Sequence, residues 1–303
     1  MTIQSRNYAI YDVFTGKPLA GNQLGIVFDC DGLDTARMQA IAREFNLSET
    51  VFILPPYSPS HEARVRIFLP ARELPFAGHP TVGAAVALAE KKYGKGKHAF
   101  VLEEKVGDIG CRTETGEGAG RAEFDLPKLP QPIEMDLAPE AIAAALGIDL
   151  GELGFDRHVI SAWSAGVPYV TVPVKSIDAV RRAAVNAEKW IGLIKLPGDI
   201  PAAPYIYCRG GDFVSSHFHT RMFAPWDGIA EDPATGSAAA AFAGALTAFE
   251  GLDDGASAFR LEQGVEMGRP SFIEMTLTMA GGALSKVSIG GQAVKVAEGR
   301  LFA

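Results

Sequence analysis

The chain has 303 residues, 48% of them hydrophobic and 21% charged, the balance of a folded globular protein long enough for two ordinary domains. A formal net charge of -8 argues against a nucleic-acid partner, which needs a concentrated basic face. The segment from Met1 to Phe14 lacks a basic region followed by an apolar run, and no apolar stretch of about 18 residues runs without polar interruption, so neither a secretory signal nor a membrane span is expected.

In chain order, Tyr8 to Phe14 mixes β-branched and aromatic residues and reads as a strand. A turn-rich stretch from Thr15 to Asn22 leads to a second strand, Leu24 to Phe28. A helix is expected over Asp34 to Phe45, capped by Asp34 or Thr35, with Met38, Ile41, Ala42 and Phe45 on one face. Strands follow at Val51 to Leu54 and Val65 to Leu69. Pro75 to Ala89 then reads as a loop entering a helix, Thr81 to Leu88, that is small or apolar on nearly every side and therefore buried all round. A curved sheet wrapped around such a helix buries it economically. Strands are expected at Ala99 to Leu102 and Ala122 to Leu126, separated by the Gly/Glu/Thr-rich stretch Thr113 to Gly120. Three prolines within Pro127 to Pro132 mark a linker.

The second half repeats the plan. A helix is expected at Pro139 to Leu146, strands near Arg157 to Ala162 and Tyr169 to Val174, then a helix at Ile177 to Val185. Strands at Pro204 to Cys208 and His217 to Phe223 lead to Glu231 to Leu246, again a Pro/Gly loop entering a small-residue helix. Strands at Phe259 to Gln263, Phe272 to Thr278, Val287 to Ile289 and Gln292 to Val296 close the chain. One supersecondary plan used twice predicts two similar domains with a cleft between them. Strands outnumber helices without strict alternation, which favours an α+β fold.

The two helix starts carry the chemical signal. Unpaired N–H groups and a partial positive charge at a helix N-terminus can hold a carboxylate or an enolate-like anion, and Gly78 and Gly236 let the backbone approach a ligand closely. The same glycines also suit tight turns or helix packing. Glu49 stands directly before an apolar strand, where burial favours the protonated form and suits a proton shuttle; a solvated loop carboxylate is the plainer alternative. His79, beside Gly78, fits a hydrogen-bonding acid, a substrate contact or a cap. Asp232 is either a carboxylate stabilising the second helix start or a polar partner facing Glu49 across the cleft. Ser237 lacks the Gly-x-Ser-x-Gly surroundings of a nucleophile and suits a carboxylate-binding hydroxyl better. No metal is expected: the histidines show no convincing ligand spacing, although His217 and His219 share a strand face. No nucleotide-binding loop is present. Cys30, Cys111 and Cys208 lie far apart with no C-x-x-C pair, which reads as reduced thiols in a cytoplasmic protein.

Five segments carry a resemblance: Asp12 to Thr15 with Ala20 to Asn22; Ala42 to Thr50; Arg66 to Phe68 with Glu73 to Thr81; Glu231 to Ala238; and Glu262 to Pro270. In that order, spanning nearly the whole chain, they resemble the PhzF family of phenazine-biosynthesis isomerases. The resemblance implies a diaminopimelate-epimerase-like fold, two domains (1–130 and 131–303) each with a curved, mostly antiparallel sheet or barrel around a central helix, the last strand being able to pack back on the first domain. It implies a homodimer, no cofactor and a small carboxylated substrate. It places Glu49, His79 and Asp232 in catalysis, with Gly78, Gly236 and Ser237, and also Ser48 and Asn22, lining the site. Related epimerases use two cysteines as acid and base; here none of the three cysteines falls in a site segment, so a single-carboxylate shuttle through Glu49 fits better. An amino-acid-type epimerase or racemase, or a non-catalytic binding or scaffold protein that keeps the fold, are the rival expectations.

Overall fold

The computed structural model describes residues 5–194 and 201–303; residues 1–4, the start of the stretch read as lacking a signal, lie outside it. The chain falls into two compact units, one of residues up to Pro127 together with Ser288–Ala303, the other of Lys128–Val287.

The first unit contains β1 (Ser5–Val13), β2 (Asn22–Val27), α1 (Thr35–Phe45), β3 (Glu49–Leu54), β4 (Ala63–Phe68), β5 (Glu73–Leu74), α2 (Gly78–Lys92), β6 (Gly96–Glu104), β7 (Gly107–Thr115) and β8 (Gly120–Asp125). The chain's last strand, Ala283–Phe302, enters this unit at Ser288. Pairing runs β1–β2–β3–β4–β6–β7–β8 and returns to β1 through the last strand, so the sheet closes on itself. Only β2–β3 and β4–β6 are parallel. Helix α2 fills the ring and is buried continuously from Gly78 to Ala89. Its small residues make that possible: a methyl added at Gly83 would sit 2.5 Å from Leu24 and 2.8 Å from Val13. Outside the ring, α1 starts at Asp34, whose side chain accepts the Arg37 N–H. Met38, Ile41 and Ala42 of α1 cover Phe52, Leu54 and Phe68, which explains why β3 is buried on both faces.

The second unit contains β9 (Gln131–Pro132), α3 (Pro139–Leu146), β10 (Ser161–Ser164), β11 (Pro168–Pro173), α4 (Ile177–Arg182), α5 (Ala187–Leu193), β12 (Ala203–Arg209), β13 (Phe218–Ala224), β14 (Ile229–Asp232), α6 (Gly236–Phe249), β15 (Gly255–Gln263) and β16 (Ser271–Ala280). Its pairings repeat the first unit's: β11–β12 and β13–β15 are parallel, and the other pairs, among them β10–β11, β12–β13 and β15–β16, are antiparallel. Helix α6 takes the place of α2, and Gly244 packs so closely on the indole of Trp163 that a methyl there would overlap the ring. An outer layer of α3, α4 and α5 encloses Ile142, Leu146, Val180 and Trp190, whose indole N–H donates to the Ala202 carbonyl at 2.8 Å.

The repeat reaches single residues. Glu73 and Glu231 each stand two residues before a proline and five before the glycine that opens the central helix. Each holds an arginine of the preceding long strand in a bidentate pair, Arg66 at 2.7 and 2.9 Å and Arg221 at 2.7 and 2.7 Å.

The structure departs from the expected elements in five places. Glu49 is the first residue of β3 rather than a loop residue before it. Helix α2 begins at Gly78, three residues before the expected Thr81. Strand β7 takes in part of the stretch that separates the expected strands, and α5 has no counterpart among the expected helices. The two short C-terminal strands are one, bulged where Val296 is left between the pairs Ile10–Ala297 and Tyr11–Lys295.

Candidate active site

In the first unit, Asn22, Glu49, Gly78 and His79 come together because three elements start there. Asn22 opens β2, Glu49 opens β3 beside it in a parallel register that pairs Leu24 with Glu49, and Gly78 and His79 form the first turn of α2. No side chain caps the helix at Ala77, so the first-turn N–H groups are not capped from within the chain's own N-cap position. Glu49 is 9% exposed and His79 is 2% exposed. Their carboxylate Oε2 and ring Nε2 lie 3.5 Å apart, long for a hydrogen bond. Asn22 Nδ2 lies 3.4 Å from the other ring nitrogen, Nδ1.

Burial drives the His79 pKa down from 6.5 to about 3, with a hydrogen bond to the Gln23 backbone opposing the shift. The ring is therefore neutral, and its approach to Glu49 is a polar contact rather than an ion pair. Nε2 makes no hydrogen bond among the described residues. A neutral imidazole has one donor and one acceptor nitrogen, so one of Nδ1 and Nε2 carries the proton and the other accepts. Ser48 precedes Glu49, is half-buried and makes no hydrogen bond among the described residues.

In the second unit, Asp232, Gly236 and Ser237 cluster at the start of α6. Asp232 is 4% exposed. Its Oδ2 accepts the Thr235 hydroxyl at 2.5 Å, and its backbone carbonyl accepts the Gln263 amide at 2.7 Å. That amide also reaches Thr235 Oγ1 at 3.0 Å, and Gln263 Oε1 accepts the Thr235 N–H at 3.3 Å. Ser237 Oγ lies 2.7 Å from the Tyr169 hydroxyl. Thr235, Gln263 and Tyr169 escaped the sequence reading. Gln263 lies in one of the segments that carry the family resemblance, but nothing in its local pattern marks it as a support for Asp232.

His217 and His219 do not act together. Arg260 donates its backbone N–H to His217 Nδ1 at 3.0 Å. His219 is fully buried between Glu262, at 2.6 Å, and Glu266, at 2.8 Å. Burial opposes its charge, but the hydrogen bonds and charges of the two carboxylates outweigh burial and raise its pKa to about 9. Asp212, His219 and Glu262 come close enough to hold an ion. The Glu262 oxygens, however, already accept the backbone N–H groups of Asp212 and Phe213 as well as His219, which is a structural arrangement. All three cysteines are buried, and burial pushes Cys30 and Cys208 up to about 12 and Cys111 well above its ordinary value. Thiols so far from ionising are poor acid–base partners. No helix among the described residues is long and apolar enough to cross a membrane.

Two barrel-like units with a buried small-residue helix in each, and an acid beside a helix start, define a class of α+β isomerases with an epimerase-like fold. The family model described as phenazine biosynthesis-like protein matches residues 11–299. An uncharacterised isomerase of Mesorhizobium japonicum is 54% identical over 99% of this chain and 100% of its own length. The trans-2,3-dihydro-3-hydroxyanthranilate isomerase of Pseudomonas aeruginosa is 35% identical, covering 97% of this chain and 99% of its own. The crystal structure of a Bacillus anthracis phenazine biosynthesis protein of the PhzF family superposes with a TM-score of 0.88 at 30% identity, over 99% of this chain and 100% of that one. The chain belongs to the PhzF family of phenazine-biosynthesis-like isomerases.

Proposed function

We propose that this isomerase moves a proton on a small carboxylated substrate, with Glu49 as the acid and base. The observation that carries the proposal is the buried Glu49 carboxylate lying 3.5 Å from a neutral His79 at the uncapped start of α2. Glu49 takes a proton from a carbon of the substrate, and the electron pair of the broken C–H bond moves into the conjugated system that ends at the substrate's carboxyl group. Glu49 then returns a proton to another carbon. The electrons end in a shifted C=C bond, nothing is oxidised or reduced, and the step balances without a cofactor. His79 Nε2, 3.5 Å from Glu49 Oε2, is the polar group that orients the carboxyl. The first-turn N–H groups from Gly78 onward are suited to the charge that develops on the substrate carboxylate.

The substrate class is a ring or chain bearing a carboxylate next to an unsaturated bond; the dihydro-hydroxyanthranilate named for the Pseudomonas aeruginosa relative is the first compound to try. On the family resemblance, Asp232, Gly236 and Ser237 also handle the substrate, with Ser48 and Asn22 in lesser roles, and the enzyme acts as a homodimer in the cytoplasm. The test is solvent-deuterium incorporation into trans-2,3-dihydro-3-hydroxyanthranilate by the wild type and by Glu49→Gln. A folded Glu49→Gln variant is expected to lose about 10²–10⁴-fold in exchange rate. Full exchange by that variant removes Glu49 from the role. Asp232→Asn and Ser237→Ala in the same assay decide the second unit's part.

A further inference from the structure

Two buried residues with no part in the proposed reaction occupy matching places behind the two helix starts. Glu104 ends β6 and Gln263 ends β15. Each follows a glutamate with the same task. Glu103 accepts the backbone N–H groups of Tyr57 and Ser58 and contacts His61 Nδ1 at 2.9 Å; Glu262 accepts those of Asp212 and Phe213 and contacts His219 Nδ1 at 2.6 Å. Gln263 in turn pins Asp232 and Thr235, the two residues that lead into α6. Glu104 reaches the entry of α2 in the same way, with its Oε1 2.7 Å from the Thr81 hydroxyl, which is itself 2.8 Å from the Ala77 carbonyl.

The hydrogen atoms at this contact can be assigned. Thr81 has one hydroxyl proton, and the Ala77 carbonyl can only accept. The back-bond to the residue four earlier takes that proton. The 2.7 Å contact then needs a proton from Glu104, which must be a carboxylic acid. Its surroundings agree. Glu104 is 7% exposed, its Oε2 has no hydrogen-bond partner, and no cation among the described residues lies within ion-pair distance of it. A lone buried carboxylate would be costly, so the group keeps its proton instead.

We propose that Glu104 is held as a neutral acid so that it can pin the first turn of α2 without placing a negative charge at the helix start, and that Gln263 is its permanently neutral counterpart at α6. Both are positioning residues, and this assignment rests on the proposed function. An ionised Glu104 would draw the Thr81 hydroxyl away from Ala77 and oppose the N-terminal field that favours a substrate carboxylate. The titratable groups nearby do not replace that control. On β7, the Cys111 thiol is buried and its own pKa is raised. On β4 and β5, Arg66 and Glu73 neutralise each other. Beside Glu104, Glu103 is held as a carboxylate by backbone N–H groups, and His61 sits against it at 2.9 Å, while Asp108 and Lys105 line the same groove. On α2, His79 is neutral. Burial raises the Glu104 pKa to about 8, opposed by the hydrogen bond that Thr81 donates once the group is ionised, so the change falls in the mildly alkaline range.

Three measurements test this on the intact protein. In carbon-13 spectra of wild type with labelled glutamate side chains, one carboxyl signal should titrate near pH 8 and be missing in Glu104→Gln. If every glutamate is already ionised at pH 6.5, the proposal is overturned whatever the enzyme does. Amide exchange over Gly78 to Thr81 should accelerate above pH 8 in wild type relative to Glu104→Gln at the same pH; equal rates overturn the pinning role. Binding of anthranilate, an unreactive carboxylate that does not itself titrate here, should weaken roughly three- to thirtyfold from pH 7 to pH 9 in wild type, the range a charge at a helix start carries. It should stay constant in Glu104→Gln, and Gln263→Glu should acquire an alkaline weakening. Failure of wild type to bind anthranilate at pH 7 counts against the proposed function, while the carboxyl titration still decides the state of Glu104.

Discussion

His79 shows how burial sets a residue's chemistry. Sequence places it beside Gly78 at a helix start, but an acid, a ligand or a cap would look the same there. Complete burial makes the difference, because it keeps the ring neutral down to about pH 3. This has a measurable sign. In the unfolded chain the ring takes a proton near 6.5, while the folded state does not until about 3. The stability that the neutral ring contributes is complete above pH 6.5 and is lost as pH falls from 6.5 toward 3. Denaturant titrations between pH 6.5 and 4 should therefore show an acid-side loss of up to about 1.4 kcal/mol per pH unit that His79→Gln removes. An unchanged slope in that variant would assign the acid sensitivity to other groups. Glu49 was legible in the sequence because it sits in a distinctive segment. Glu104 and Gln263 were not, because a polar residue ending a strand carries no signature until its partners are known.

Among the elements, the two small-residue helices were the most legible, since an apolar surface on every side has few uses outside a closed sheet. Strand β7 was hidden because its inward residues, Ile109, Cys111, Thr113 and Thr115, alternate with Asp108, Gly110, Arg112 and Glu114, of which the aspartate, glycine and glutamate depress β propensity. The last strand looked like two because Gly290 and Gly291 interrupt its apolar pattern and the bulge at Val296 shifts its register. Packing also reverses a propensity rule. Glycine in an exposed helix costs about 1 kcal/mol relative to alanine, so Gly244→Ala ought to stabilise α6 on propensity alone. The Trp163 ring already fills that space, and overpacking costs about 1–3 kcal/mol. Thermal unfolding is expected to show net destabilisation, and a stabilised Gly244→Ala would mean the indole yields freely.

At the scale of the whole molecule, the repeated plan was visible in the sequence as two Pro/Gly loops entering two buried helices, but its residue-level pairing was not, because Arg66 and Arg221 lie seven and ten residues from their glutamates. The two pairs have nearly the same geometry and unequal surroundings. Arg66 and Glu73 are about one-fifth exposed, at 22% and 19%. Arg221 is 9% exposed and also donates to the carbonyls of Val180, Arg181 and Ala183. Breaking the partly solvated pair with Arg66→Met should cost about 1 kcal/mol. Arg221→Met strands a half-buried glutamate and three carbonyls and should cost about 3–5 kcal/mol. Chemical denaturation of both variants checks the ranking, and equal losses would show that burial does not separate the two copies of the motif.

The last strand binds these scales together. It enters the first unit at Ser288, pairs with β8 and then with β1, and so supplies the seam that closes that ring. A ribosome that has delivered residues 5–127 has made seven of the ring's strands and α2 but not the seam, and all of the second unit must emerge before the seam does. The portion of the protein made first is therefore the portion completed last, and until then its open edges on β1 and β8 are exposed to any strand that can pair with them.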